Sequence, residues 1–356
     1  MKRLFLYILI LNLLLCSCSA KAPLPEAFTA PTPAPQTEKP AAAPEPTPVS
    51  TPEPTPEPDK LDAAEGIYTI GWISDTQHYS AKYPDHFYKM TEFLNSNKDR
   101  MNLGYIVHTG DLVHNYDIDE QWQIADKAMQ TIDDIPHGVL AGNHDFNNDE
   151  GTYGEYAEYF GEDRYADKAW YGGSYKDNRC HYDLITLGKT DYLFVYISYQ
   201  PDSGCIKWAN EIFAQYPDRV GILCIHDYYK TDTTLSPDGE TLFKKIVKKN
   251  PNLWMVLCGH RYTLYTDNTE IDDNGDGTPD RTVHQVMANY QAAGEEGGSG
   301  YMRFMQVNEA SGKIRMYSYS PSADDYTYFD TPEHIAEKYT SDAKHEEYEL
   351  DIPWIN

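Results

Sequence analysis

Basic residues are scarce in this sequence, and their shortage limits what the protein binds. Lysine and arginine number 29 against 56 aspartates and glutamates, so the formal net charge is −27. A surface of that sign repels nucleic acid backbones and anionic membranes. Cysteine is also sparse at six residues, and the absence of a CxxC pair argues against a zinc knuckle. We therefore expect no binding to nucleic acid backbones.

Long apolar runs are missing as well. The apolar stretch 4–15 follows Lys2-Arg3 and is too short for a permanent transmembrane helix, which is typical of a signal peptide. The sequence around Cys18 resembles a bacterial lipobox, so we predict a lipoprotein signal peptide over residues 1–18 with lipidation at Cys18. A plain secretory leader cut near Ser19-Ala20 is the alternative. We expect an exported protein that is lipid-anchored to the outer face of the bacterial cell membrane.

Large apolar side chains are nearly absent from residues 19–61, where proline, alanine, threonine and glutamate dominate. Such a segment cannot bury a core, so it is predicted to be a disordered, semi-rigid tether. The rest is long enough for one large domain over residues 62–320, with a C-terminal extension over residues 321–356 packed on it.

The four remaining cysteines fall into two groups. Cys224 and Cys258 lie in apolar, strand-like runs and are expected to be buried. Cys180 and Cys205 lie in loop-like surroundings and could pair outside the cell. The sequence leaves their pairing open.

Apolar runs predict short buried strands at residues 68–73, 105–107, 191–197, 221–225 and 253–257. Helical patterns cover residues 85–97, 118–132, 206–216 and 237–249, the last with Ser236 as N-cap. A hairpin is expected from residues 301–307 and 313–319. The alternation favours an α/β architecture, in which active groups gather beyond the carboxyl ends of the strands.

Polar motifs follow the ends of these strands. They are Ser74-Asp75-Thr76-Gln77, Thr109-Gly110-Asp111, Gly142-Asn143-His144-Asp145 and Cys258-Gly259-His260-Arg261-Tyr262, with His226 standing alone. Carboxylate, amide and imidazole groups suit a pair of divalent cations that share a bridging carboxylate. Taken singly, each motif has a simpler explanation, such as a tight turn or a hydrogen-bonded core histidine. Their joint occurrence at strand ends favours metal binding.

The residue types indicate separate roles. Asp111 is the natural bridge between two metals. Asp75 and Gln77 are two positions apart, so an extended chain would direct both side chains to one side. Neutral donors for a second metal come from Asn143, His226 and His260. His144 and Asp145 are the catalytic candidates, with His144 as proton donor.

On these motifs the chain resembles the calcineurin-like metallophosphoesterases, in particular exported bacterial members, across residues 67–319. The resemblance implies a four-layer α/β/β/α sandwich with two mixed sheets and a site for two divalent metals, which are Mn, Fe or Zn. It implies that Asp75 and Asp111 bind the first metal, and that Asp111 bridges to a second metal held by Asn143, His226 and His260. It also implies a phosphomono- or phosphodiester substrate, with His144 protonating the leaving oxygen.

Three positions depart from the family pattern. Gln77 and Tyr262 stand where the family has histidines, and His114 stands where an aspartate often follows the Gly-Asp pair. A neutral phenol is a weak ligand, so the second metal is predicted to bind more tightly than the first. A metal-retaining binding protein with weak or no hydrolysis is the main alternative. An adhesion module that merely binds calcium is another.

A second acidic motif lies at residues 272–280. Asp272, Asn274, Asp276 and Asp280 place oxygen donors at spacings that resemble the start of a calcium loop, with Gly277 at the sharp turn. Val283 stands where a complete EF-hand has a bidentate glutamate. Calcium binding and a simple acidic surface turn both remain open.

Overall fold

Helices and strands alternate through the part of the chain that the computed structural model describes, which is residues 60–292, 296–329 and 342–354. These residues belong to one compact unit, 57–356. The predicted signal peptide, Cys18 and the predicted tether up to residue 59 lie outside the described residues. No helix of the described part is long and apolar enough to cross a membrane.

The strands lie in two mixed sheets. They are β1 (Ile67–Ile73), β2 (Leu103–His108), β3 (His137–Val139), β4 (Tyr171–Tyr175), β5 (Cys180–Leu187), β6 (Thr190–Ile197), β7 (Val220–Ile225), β8 (Leu253–Cys258), β9 (Leu264–Ile271), β10 (Arg281–Ala288), β11 (Met302–Asn308), β12 (Lys313–Tyr319) and β13 (Tyr348–Asp351). One sheet has the order β13-β12-β11-β1-β2-β3, and the other has the order β4-β5-β6-β7-β8-β10-β9. Parallel pairing joins β1 to β2 and β2 to β3 in the first sheet, and it joins β6, β7, β8 and β10 in the second.

The helices cover the outer faces of the sheets. They are α1 (Gln77–Lys82), α2 (Pro84–Asn97), α3 (Asp119–Gln130), α4 (Gly154–Phe160), α5 (Glu162–Tyr165), α6 (Ser203–Gln215) and α7 (Pro237–Lys245), with 3-10 turns at Val247–Lys249 and Ala343–His345. Helices α2 to α5 contribute buried side chains to a core with the first sheet, whereas α6 and α7 do so with the second. A third core fills the space between the sheets. The predicted four-layer α/β/β/α sandwich is therefore confirmed.

Strand periodicity explains how one strand serves two cores. In β2, Tyr105 and Val107 face the opposite sheet, while Ile106 between them faces the helices. Successive side chains of a strand point to opposite faces, so a strand covered on both sides must be apolar throughout. This requirement produced the continuous apolar runs from which the five strands were predicted, and all five are present.

Local capping rules also hold. Ser236 caps α7 by accepting a hydrogen bond from the backbone N–H of Gly239 at 3.0 Å, and Pro237 occupies the first turn, where its missing N–H costs nothing. The predicted hairpin is present as β11 and β12. The chain then returns as β13, an edge strand antiparallel to β12.

The structure answers the open question about the cysteines. Cys180 and Cys205 form a disulfide that joins the start of β5 to the first turn of α6. Cys224 and Cys258 are free and buried, as predicted.

Candidate metal centre

Five strands from both sheets deliver polar side chains to one edge of the sandwich. Asp75 follows β1, Asp111 follows β2 and Asn143 follows β3 in the first sheet, and His226 and His260 follow β7 and β8 in the second. The carboxyl ends of these parallel strands meet at one edge, so residues far apart in sequence become neighbours. Asp75 is 185 positions from His260, yet its carboxylate accepts a hydrogen bond from the backbone N–H of His260 at 3.1 Å.

The centre of the site is a cluster of one carboxylate and two imidazoles. Asp111, His226 and His260 each place a ligand atom within 4.8 Å of the others. His226 Nε2 lies 3.3 Å from Asp111 Oδ1 and 3.0 Å from the amide oxygen of Asn143. Asp111 and His226 are each only 1 % exposed. A carboxylate, an amide oxygen and two imidazoles form a donor set that fits a divalent transition metal such as Mn, Fe or Zn.

Three of the candidate ligands lie in a strained backbone conformation. Asp75, Asp111 and His260 all have positive φ angles, at 56°, 56° and 71°. Side chains other than glycine avoid this region, and such residues cluster at functional sites, where the surrounding structure holds them in place. The turn at each strand end therefore aims the ligand into the site.

Two glycines let the carboxylates approach the neighbouring loops. A Cβ at Gly142 would lie 2.1 Å from Asp111 Oδ1, and a Cβ at Gly259 would lie 2.3 Å from Asp75 Oδ2. No side chain fits at such distances, so glycine is required beside both carboxylates. The glycines of the Gly-Asn-His-Asp and Gly-His motifs are thus explained by packing.

Hydrogen bonds from a surrounding layer orient the ligands. The His226 Nδ1–H donates to the backbone carbonyl of Thr109 at 2.8 Å, because a carbonyl only accepts, and this leaves Nε2 to face Asp111 and Asn143. The hydroxyl of Ser74 donates to Asp75. Thr109 Oγ1 in turn donates to Ser74 Oγ at 2.6 Å. Such second-layer partners fix tautomer and ligand orientation in metal sites.

The charges of the candidate ligands depend strongly on burial and on one another. Burial disfavours ionisation of Asp111, but the adjacent His226 outweighs it and lowers the pKa of Asp111. Burial together with the Asp111 carboxylate raises the pKa of Asp75. Burial also lowers the pKa of His260 to about 3, which keeps this imidazole neutral and able to bind a metal. A bound cation would offset the repulsion between the two carboxylates.

Gln77 reaches the site by a different route from the one predicted. The expectation that Asp75 and Gln77 continue in extended alternation is wrong, because the chain turns at Asp75 and Gln77 is the first residue of α1. Its Nε2 nevertheless donates to Asp111 Oδ2 at 2.8 Å, and its Oε1 is buried without a hydrogen-bond partner. Rotating the amide would turn this oxygen towards Asp111, so the residue retains a donor atom for a metal.

His144 lies at the rim beside the ligands. Its backbone N–H donates to Asp111 Oδ1 at 3.0 Å, and its ring stacks on His114 with centroids 4.9 Å apart. Nδ1 is 2.8 Å from the carbonyl oxygen of His114 and therefore carries a proton. The opposite nitrogen, Nε2, is the one left for substrate.

Asp145 does not act where the sequence placed it. Its carboxylate is buried and accepts hydrogen bonds from the backbone N–H groups of Leu112, Val113 and Gly142 at 2.8 to 3.0 Å. These bonds connect the Asp111 loop to the Asn143 loop. Asp145 is a positioning residue for both loops, because these backbone groups occupy its oxygens and it is not among the residues that line the cleft.

The site opens into a cleft of about 310 Å³. Its walls contain most of the predicted ligands and two residues, Thr231 and Arg261, to which the sequence gave no role. The lining residues are Gln77, Asp111, Asn143, His144, Thr231, His260, Arg261 and Tyr262. A sizeable cleft beside the carboxylate–imidazole cluster leaves room for a substrate.

A family model for calcineurin-like phosphoesterases matches residues 68–290. The chain belongs to the calcineurin-like phosphoesterase family. Family members are hydrolases of phosphoesters, and the match spans every predicted ligand from Asp75 to His260.

The chain is also similar to individual known proteins. The uncharacterized protein YvnB of Bacillus subtilis (strain 168) is 44% identical over 275 residues, which cover 77% of this chain and 21% of YvnB. The chain thus spans about a fifth of the length of that relative. Among solved structures, the purple acid phosphatase PPD1 from yellow lupin (Lupinus luteus) seeds matches with a TM-score of 0.52 at 11% identity, covering 81% of this chain and 54% of that chain. At that identity the likeness shows the fold alone.

The other positions at which the sequence departs from the expected family pattern can now be located. Tyr262 lines the cleft in place of a second histidine. His114 stacks on His144 and on His78, with centroids 4.9 and 5.3 Å apart. Asp227, directly after His226, places Oδ2 at 3.8 Å from His260 Nε2. The motif Gly-His-Arg-Tyr contained the signal for Arg261, since it puts an arginine directly after a predicted ligand.

The acidic motif at residues 272–280 forms the exposed loop between β9 and β10, on the second sheet. Asp272 accepts hydrogen bonds from the backbone N–H groups of Gly275 and Gly277 at 2.6 and 2.7 Å. Asp276 accepts one from Thr278 at 2.8 Å. The side chains that would bind calcium thus shape the turn, and calcium binding stays a prediction.

Proposed function

We propose that this chain is a metal-dependent phosphoesterase that hydrolyses phosphomono- or phosphodiesters at a site for two divalent metal ions. One observation carries the proposal: Asp111, His226 and His260 converge within 4.8 Å beside an open cleft. This arrangement joins the two sheets of a fold whose family hydrolyses phosphoesters.

The ligands divide into two groups around Asp111. Asn143, His226 and His260 would hold one metal with Asp111, and Asp75 with Gln77 would hold the other. Divalent ions in such a site supply positive charge that stabilises the charge developing on the phosphoryl oxygens. We expect the Asn143 side to bind more tightly, because it has two imidazoles while Tyr262 replaces an imidazole elsewhere in the cleft.

His144 is proposed to deliver the proton that the reaction needs. A water oxygen forms the new bond to phosphorus, the ester P–O bond breaks, and the leaving oxygen takes a proton. Because Nδ1 of His144 already donates to the His114 carbonyl, a proton on Nε2 means that His144 enters the reaction doubly protonated. The water proton passes to solvent, and the products are an alcohol and phosphate or a phosphomonoester.

Hydrolysis of one aryl phosphomonoester and one aryl phosphodiester, with Mn, Fe or Zn added, tests this function. Asn143→Ala removes a ligand and should abolish both activity and tight metal binding, and the exposed Asn148 offers a matched control, Asn148→Ala, that should change neither. His144→Ala should lower turnover with metal content retained. If the unmodified protein binds metal but hydrolyses neither ester, the proposed enzymatic function is refuted and a metal-retaining binding protein is favoured.

The location of the protein is a second proposal. We propose that it is exported and held by a lipid on Cys18, with residues 19–61 as a tether. The Cys180–Cys205 disulfide supports export, because such bonds persist in oxidising compartments. Labelled palmitate should be incorporated by the unmodified chain and not by Cys18→Ala. Equal labelling of both would contradict lipidation at this residue.

A further inference from the structure

Arg261 lines the cleft next to the metal cluster, and no side chain among the described residues pairs with it. It directly follows His260 in the short connection between β8 and β9. Its backbone N–H donates to Gly259 O at 2.9 Å, and its carbonyl accepts from Thr263 N–H at 2.7 Å. The backbone is thus held by tight turns on both sides, which fixes the origin of the side chain.

The guanidinium group makes no ion pair and no side-chain hydrogen bond with the described residues, and Nε is buried without a partner. Other arginines behave differently in a chain that has 56 acidic residues. Carboxylates pair with Arg100, Arg164, Arg179, Arg281 and Arg315. An unpaired buried donor is costly, and for a charged group the cost is larger. The position of Arg261 therefore indicates that its partner is a ligand.

The chemistry of that ligand follows from the guanidinium. Its planar fork of N–H donors matches the oxygens of phosphate better than an ammonium does. Among the residues that the structure describes, Asp111 has the only carboxylate that lines the cleft, and this carboxylate is engaged by His226. An anionic oxygen of the substrate is the group that complements Arg261.

We propose that Arg261 binds a terminal oxygen of the phosphoryl group and makes the site prefer phosphomonoesters. This inference rests on the proposed function. A monoester phosphate has three terminal oxygens and a charge near −2, whereas a diester has two terminal oxygens and a charge of −1. With two oxygens directed at the metal side, only the monoester retains a third oxygen for Arg261.

The test compares Arg261→Gln, which removes the charge, with Arg261→Lys, which retains the charge and loses the fork. Arg100→Gln, at an exposed ion pair with Asp62 outside the cleft, is the control. Titration calorimetry with inorganic phosphate on the metal-loaded proteins measures binding without turnover. We expect Arg261→Gln to bind phosphate about 10- to 100-fold more weakly with unchanged metal content, Arg261→Lys to be intermediate, and the control to match the unmodified protein.

Kinetics then test the substrate preference. For Arg261→Gln, kcat/KM for the aryl monoester should fall about 10- to 100-fold, and kcat/KM for the diester should fall by less than about 3-fold. Equal losses on both esters would overturn the monoester preference. Unchanged phosphate binding, no phosphate binding by the unmodified protein, or loss of metal from Arg261→Gln would overturn the role of Arg261. If the unmodified protein hydrolyses neither ester, the proposed function fails, and the phosphate titration still decides whether Arg261 binds anions.

Discussion

The close packing of Gly142 against Asp111 predicts that Gly142→Ala weakens metal binding and also lowers the stability of the fold. The added Cβ would lie 2.1 Å from Asp111 Oδ1 and 2.5 Å from the Asp111 backbone nitrogen. Cβ atoms in proteins essentially never lie closer than 3.0 Å to such atoms. The carboxylate must therefore move by roughly 0.9 Å. Metal–ligand distances tolerate only about 0.2 Å. Overpacking of this kind costs about 1–3 kcal/mol of folding free energy.

Competition with a chromophoric chelator measures the effect on metal affinity, and circular dichroism measures thermal unfolding. We expect the affinity of Gly142→Ala to fall by about 10- to 100-fold or more. Gly154→Ala is the control, because a Cβ there meets no atom within 4 Å. A folded Gly142→Ala protein with the metal affinity of the unmodified chain would refute the assignment of Asp111 as the shared ligand.

Three further predictions use other features of the molecule. Burial disfavours a charged His226, but the Asp111 carboxylate outweighs it and raises the pKa of His226 to about 10. Metal uptake at pH 7 should therefore release about one proton, seen as calorimetric heats that vary with the ionisation enthalpy of the buffer, and buffer-independent heats would contradict this. Burial raises the pKa of Asp183 well above its usual range. The pKa of an aspartate in the unfolded chain is about 3.9. The free energy of unfolding should therefore fall by about 1.4 kcal/mol per pH unit as the pH rises above about 4. In urea unfolding, Asp183→Asn should remove this dependence of the unfolding free energy on pH. An unchanged pH dependence would contradict the raised pKa of Asp183. Calcium should raise the melting temperature of the unmodified protein and not that of Asp276→Ala. Equal shifts in the two proteins would exclude calcium binding by the loop at residues 272–280.

The sequence missed elements whose polar residues are buried. Strand β10 contains Arg281, His284 and Gln285, which are all less than 10 % exposed, so its composition did not indicate a strand. Arg281 is tolerated there because it pairs with Asp273 and donates to backbone carbonyls. Those partners come from residues that local patterns do not reveal. The hairpin of β9 and β10 was therefore not predicted.

The roles of Gln77 and Asp145 illustrate a second limit. Spacing in the sequence predicted an extended chain from Asp75 to Gln77. Instead, the backbone turns at Asp75, which has a positive φ, and α1 begins at Gln77. Adjacency to His144 made Asp145 a catalytic candidate, yet three backbone N–H groups occupy its carboxylate. The direction of a side chain and its hydrogen-bond partners depend on the three-dimensional arrangement, so neither can be read from the position of the residue in the sequence.

The sequence alone determined the central strands β1, β2, β6, β7 and β8, the β11–β12 hairpin, most helices and the set of candidate ligands. Burial on both faces forces continuous apolar runs, and metal-binding side chains are few in kind. The tertiary structure alone decided which of these side chains meet. Asp111 and His226 are more than a hundred residues apart, and their 3.3 Å approach depends on how two sheets stack. It also decided the Cys180–Cys205 pairing and left Arg261 Nε buried without a hydrogen-bond partner among the described residues. Contacts between distant segments are set by packing of the whole domain, which local sequence patterns do not encode.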